Sequence, residues 1–126
     1  MPVQWSVSHA ARLVVAVTKD DLKVEDIEQY FAGVTAEGAI AYRKIFEITA
    51  TPRALTEENL KALGQRVMLY AQHGQIGPVA IVAASDESYA QAEIFAAAAQ
   101  VRRPLQIFRE MQDARRWLDA QDGTRS

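Results

Sequence analysis

Apolar positions recur along this chain at two spacings, and the switches between them divide it into nine segments. Val3, Trp5 and Val7 alternate with Gln4, Ser6 and Ser8, which predicts a strand with one face on a core and the other in water. Residues 13–17 are continuously apolar, the pattern of a strand buried on both faces. No Gly, Asn or Pro lies in residues 8–12, so a hairpin there follows from the tight spacing alone. Val24, Ile27, Phe31 and Val34 then repeat at helical intervals. Residues 41–48 predict a third strand, to which Tyr42 and Phe46 lend β character.

Leu60, Leu63 and Val67 form the stripe of a second helix. Thr56 suits its cap, and Glu57 and Glu58 suit the positive end of its dipole. Gly74 and Gly77-Pro78 end it, and residues 79–84 form a β-branched apolar run that reads as a buried parallel strand. Ser85 or Asp86 caps a third helix whose inner face is Ala92, Phe95, Ala96 and Ala99. Four consecutive alanines, 96–99, let that helix approach a neighbour closely. Pro104 precedes a short strand over residues 105–108, and Met111, Ala114, Trp117 and Leu118 stripe a closing helix.

The predicted order is β-β-α-β-α-β-α-β-α. An opening hairpin followed by three β-α units predicts an α/β fold with a mixed, mostly parallel sheet and packed helices. Residues 1–120 make one domain on this reading, with 121–126 as a polar C-terminal tail. A chain of 126 residues buries roughly two thirds of its unfolded surface, enough for a core without disulfides. None are available, because the chain has no cysteine. Thiolate chemistry and cysteine-ligated metal go with them.

Fourteen Lys and Arg stand against sixteen Asp and Glu, a net charge of −2 with no basic half. Nucleic-acid binding is therefore not expected. The N-terminus lacks the basic flank and apolar run of a signal peptide. No apolar run approaches the ~20 residues of a membrane span, so a cytoplasmic protein is expected.

In a largely parallel sheet, ligands bind beyond the carboxyl ends of the strands. Those ends lead into residues 18–21, Thr49-Ala50-Thr51-Pro52-Arg53, Ser85-Asp86-Glu87-Ser88-Tyr89 and Arg109-Glu110. Thr49, Thr51, Arg53, Ser85, Asp86, Tyr89 and Arg109 are thus the candidate rim for a ligand or partner. Helix capping is the simpler role for Ser85 and Asp86, and Arg109 has Glu110 and Asp113 as nearby acids. Tyr70 and Tyr89 could flank a helix-lined apolar cleft. No catalytic residues, metal site or cofactor are expected. His9 and His73 lie far apart, and nucleophile-elbow, phosphate-loop and dinucleotide motifs are missing.

Several phrases carry a family resemblance: Tyr42-Arg43-Lys44-Ile45-Phe46-Glu47, Gly77-Pro78-Val79-Ala80-Ile81-Val82, Gln91-Ala92-Glu93-Ile94-Phe95, and Leu105-Gln106-Ile107-Phe108-Arg109-Glu110 leading to Ala114-Arg115-Arg116-Trp117-Leu118. With the element order, the chain resembles SpoIIAA-like proteins of the STAS (sulfate transporter and anti-sigma-factor antagonist) superfamily. The resemblance implies a STAS-like sheet with packed helices and a non-enzymatic regulatory module that binds a protein partner. In anti-sigma-factor antagonists a Ser or Thr at the start of the helix after the third strand is phosphorylated. Here the Asp-Ser pair of that switch is missing, Glu47 stands where relatives often carry Asp, and Thr49, Thr51 or Thr56 would take the serine's place. The SpoIIAA-like branch is also likened to CRAL-TRIO lipid-transfer folds, which implies the alternative of a carrier or sensor of a small apolar or lipid-like ligand. Residues 3–7, as an edge strand, could pair across a two-fold axis in a homodimer.

Overall fold

Each predicted segment becomes an element of its expected type. The computed structural model describes residues 3–18, 23–49, 56–71, 76–99 and 104–123. They form β1 (Val3–Ser8), β2 (Leu13–Thr18), α1 (Val24–Ala36), β3 (Arg43–Ile48), α2 (Glu57–Ala71), β4 (Val79–Ala83), α3 (Asp86–Ala98), β5 (Leu105–Phe108) and α4 (Met111–Gly123). One mixed sheet holds all five strands in the order β1-β2-β3-β4-β5, with β1 antiparallel to β2 and the rest parallel. No helix among the described residues is long and apolar enough to cross a membrane.

Every β-α-β unit steps one strand further in the same direction. Right-handed crossovers then place α1, α2 and α3 on one face of the sheet. The core shows this: Val14 and Ala16 of β2 bury with Ile27, Tyr30 and Val34 of α1 and with Leu60 and Leu63 of α2, and Phe95 of α3 packs against them. The helix after the last strand has no return strand to reach, and it covers the opposite face. There Ala114 and Leu118 of α4 bury against Ile45, Ala80 and Val82, with Trp117 beside Phe108 at 5.8 Å between ring centroids.

β1 keeps its two-faced pattern, with Val3 buried and Gln4, Ser6 and Ser8 exposed. β2 departs from expectation. Val14, Ala16 and Thr18 are buried, but Leu13, Val15 and Val17 are only half-buried. α4 lies over β3, β4 and β5; on β2, Leu13 packs against its cluster, while Val15 and Val17 are covered only in part. The hairpin without glycine is closed by Arg12, which takes the left-handed conformation at φ 52°. The Ala11 N–H donates to Ser8 Oγ at 3.2 Å within that turn. β3 begins at Arg43 rather than at residue 41, because the Tyr42 N–H donates to Ala39 O in a turn. α4 continues three residues past Ala120 into the expected tail.

Thr56 caps α2 as expected. The Asn59 N–H donates to Thr56 Oγ1 at 3.1 Å, and the Thr56 N–H donates to Asn59 Oδ1 at 3.2 Å, a reciprocal pair that satisfies two helix-end donors. The alanine run has a partner in Gly64 of α2. A Cβ there would lie 2.5 Å from Ala98 Cβ and 2.8 Å from the Ala98 carbonyl carbon. α2 packs chiefly on α3, and this glycine–alanine crossing sets its distance. Gly64→Ala gains about 1 kcal/mol of helix propensity but meets backbone that cannot give way, an overpacking cost of about 1–3 kcal/mol. Chemical denaturation is therefore expected to show net destabilisation. Stabilisation would mean that α2 and α3 can separate freely.

Candidate functional site

Two places can be compared: the expected rim and the space beneath the helices. At the rim, the parallel strands β2 to β5 do bring their carboxyl ends to one edge. Thr51 and Arg53 lie outside the described residues. Thr49 is exposed, its hydroxyl donates to Thr18 O, and its N–H donates to Thr18 Oγ1 at 3.4 Å. Thr56 sits further on, its oxygen engaged in the α2 cap. Neither hydroxyl is idle.

Ser85, Asp86, Tyr89 and Arg109 are brought together. Ser85, not Asp86, is the α3 cap: the Ser88 N–H donates to Ser85 Oγ at 3.1 Å. Asp86 is thereby left to accept from Arg109 Nη1 at 2.8 Å, and the same nitrogen donates to Ala84 O at 3.1 Å. The guanidinium lies 4.4 Å above the Tyr89 ring, within cation–π range. Arg109 thus pairs across the β4–β5 ladder and not with Glu110 or Asp113; Asp113 is bonded to Arg116 at 2.7 Å. With side chains 47% and 94% exposed, the Arg109–Asp86 pair is worth little in water. Ser85→Ala is expected to lower stability by about 1–2 kcal/mol, and Asp86→Ala by no more than about 0.5 kcal/mol. Urea denaturation of both variants checks the ranking, which reverses if Asp86 is the true cap.

Among the described residues no three His, Cys, Asp or Glu side chains gather to hold a metal ion. His9 Nδ1 is hydrogen-bonded to the Tyr42 hydroxyl at 2.7 Å, and His73 lies outside the described residues. Tyr89 stands at the rim beneath Arg109, and nothing is described of the Tyr70 side chain.

Beneath the helices there is a cavity of about 90 Å³ between the sheet and α1, α2 and α3. Its wall is almost wholly apolar. Phe46 and Ile81 form the sheet side, Tyr30 and Phe31 come from α1, Leu63 from α2 and Phe95 from α3. Tyr30, 3% exposed, packs against Trp5, Phe31 and Phe46 at centroid distances of 5.6, 5.5 and 5.3 Å. This aromatic group fixes the α1 side of the wall. The opposite side is held open because α2 rests on α3 through Gly64 and Ala98.

One charged side chain stands among the residues that line this cavity: Lys44, 3% exposed. Lys44 shares the helix-covered face of the sheet with Phe46 and Ile48, since its ladder partners are Val14 and Val79. Its Nζ donates to Ile40 O and to Tyr42 O, the latter at 2.8 Å. Ile40 O also accepts from the Gly77 N–H at 3.0 Å. A Cβ on Gly77 would come within 2.3 Å of the Ala41 and Tyr42 carbonyl oxygens, so only glycine lets these two loops meet. Neither the cavity nor the inward turn of Lys44 is anticipated from sequence. The only available signal is the period-two grouping of Lys44 with Phe46 and Ile48.

Comparison with known proteins gives no match: no family model, no curated protein and no solved structure is significantly similar to the chain.

Proposed function

We propose that this protein is a non-enzymatic carrier or sensor of a small apolar ligand, held between α1, α2, α3 and the sheet. The observation that carries the reading is the 90 Å³ apolar cavity. The cavity is partly open to solvent, so a small apolar molecule can reach it and gain by covering its apolar wall. Its wall offers water few partners, and apolar cavities of order ~150 Å³ stay dry yet take benzene. The ligand is accordingly compact. A two-chain lipid would need the helices to part. A SpoIIAA-like, STAS-like ancestry fits the element order and the lipid-transfer analogy of that branch, and is part of the proposal.

The second reading, contact with a regulatory protein partner, is favoured by one observation: two β-α junctions present exposed Asp86 and Arg109 together with half-buried Tyr89 as one group. Much of its polarity is already used internally, which ranks it below the cavity. The two readings separate because Asp86→Arg would disturb the rim and leave the cavity as it is.

Titration with toluene and with hexan-1-ol, followed by amide NMR, tests the carrier reading. Shifts are expected at Tyr30, Phe46, Ala92 and Phe95, together with a raised melting temperature. Ala92, buried in the cavity wall, provides the control. Ala92→Leu fills the space and is expected to keep the fold, raise stability by up to about 2 kcal/mol, and abolish both sets of shifts. An unchanged wild-type spectrum at saturating probe would end the carrier reading.

A further inference from the structure

The rings around this cavity name a ligand class. Three of the chain's four phenylalanines line it, Phe31, Phe46 and Phe95, together with Tyr30. They stand on three sides. Phe46 lies on β3, the middle strand of the sheet, and forms the floor. Tyr30 and Phe31 come from α1, which packs on β1 at one edge, and Phe95 comes from α3, which packs on β4 and β5 toward the other. Small neighbours leave room between them. Phe46 is flanked across the ladder by Ala16, whose side chain is a single methyl, and Ala92 stands one turn before Phe95 on the cavity wall. Phe46 lies on a middle strand beneath helices, yet it is only half-buried, as are Phe31 and Phe95. On each of the three sides, packing within the chain leaves ring surface uncovered.

Resting on the carrier reading, we infer that the ligand is an aromatic compound of one ring with small apolar substituents, and not an alkyl chain. Area alone does not choose between them, because the burial of apolar surface is non-directional. The ring quadrupole does choose. Aromatic rings gain from offset-stacked or edge-to-face neighbours at about 4.5–7 Å between centroids, beyond the area they bury. The α1 side of the cavity already uses this geometry. Tyr30 meets Trp5 and Phe46 edge-on, at 78° and 66° between ring planes. Phe95 differs. Among the described residues no ring pairs with it, although it lines the same space. A ligand ring between Phe46 and Phe95 extends the aromatic group from the α1 side to α3. An alkyl chain in that place covers the same carbon surface and gains nothing from the quadrupoles.

The test compares toluene with methylcyclohexane, which share one carbon skeleton, by NMR titration of the full chain. Each dissociation constant is corrected by that probe's own water-to-cyclohexane partition coefficient, which removes the difference in hydrophobicity. After correction toluene is expected to bind about fivefold or more tightly, the gain of one or two ring contacts. Intermolecular NOEs are expected from its ring protons to the rings of both Phe46 and Phe95. Phe95→Leu is expected to bind both probes and to lose most of the preference. Phe108→Leu, on the α4 side of the sheet, is expected to keep it. Equal corrected affinities, or a preference for methylcyclohexane, overturn the inference and leave the carrier reading standing. A preference that survives Phe95→Leu reports flat shape alone and also overturns it. Failure of both probes overturns the carrier reading itself. Should Phe95→Leu not fold, the wild-type affinities and NOEs decide. Toluene contacts to Phe46 without Phe95, or to Phe95 without Phe46, then refute the inference.

Discussion

The handedness of the β-α-β crossover governs this molecule more than any single contact. Once β2, β3, β4 and β5 are added in sequence in one direction, right-handed connections commit three helices to the same face. α4, with no strand to return to, takes the other. Four helices are thus divided three against one. The crowded face must accommodate three helices over a sheet of short strands, and α2 does so by packing on α3 through Gly64 and Ala98. The cavity follows from that arrangement, because a helix held by its neighbour leaves space between itself and the strands. The lightly covered face shows the converse, with Val15 and Val17 half-buried behind β2.

Much of this was legible in the order of spacings. β1 was readable because Val3, Trp5 and Val7 alternate without exception, and the α1, α2 and α4 stripes because helices with one dry face repeat every three or four residues. β2 departs from its pattern for a physical reason: a continuous apolar run says that both faces tolerate burial, but the length and placement of α4 decide whether both receive it. The hairpin turn contained no glycine to mark a left-handed residue, and Arg12 took that conformation itself. The rim was legible in part. Ser85 and Asp86 were correctly placed at the start of α3, yet Arg109 was matched with acids near it in sequence. Its actual partner comes from the neighbouring parallel strand's exit, a relation that only the ladder register supplies.

Lys44 shows the same limit more sharply. In β3 one face carries Arg43, Ile45 and Glu47 and the other Lys44, Phe46 and Ile48. Each set mixes charge with apolar bulk, so alternation alone does not say which points toward the three helices. The outcome turns on the neighbours. Arg43 on the α4 side reaches out to Ala11 O at 3.0 Å and to Asp119 at 3.5 Å, whereas Lys44 must turn back to the carbonyls of its own preceding loop. Register, set by β2 and β4 together, chose the face that buries the lysine.

Stability alone gives no reason for that choice. A methionine at position 44 would fill part of the void and bring no charge into the core, and a larger residue at position 92 would fill more of it. Both substitutions are single steps, and domains of this size have only about 5–15 kcal/mol in hand. A cavity and a buried cation are each a departure from the best-packed core, and random departures would scatter over the four helices and two faces. Here the two coincide, at the end of one cavity, behind a loop crossing that only Gly77 permits. Departures from the local rules tend to fall at functional or strained sites, and here a cavity and a buried lysine coincide beneath α1, α2 and α3.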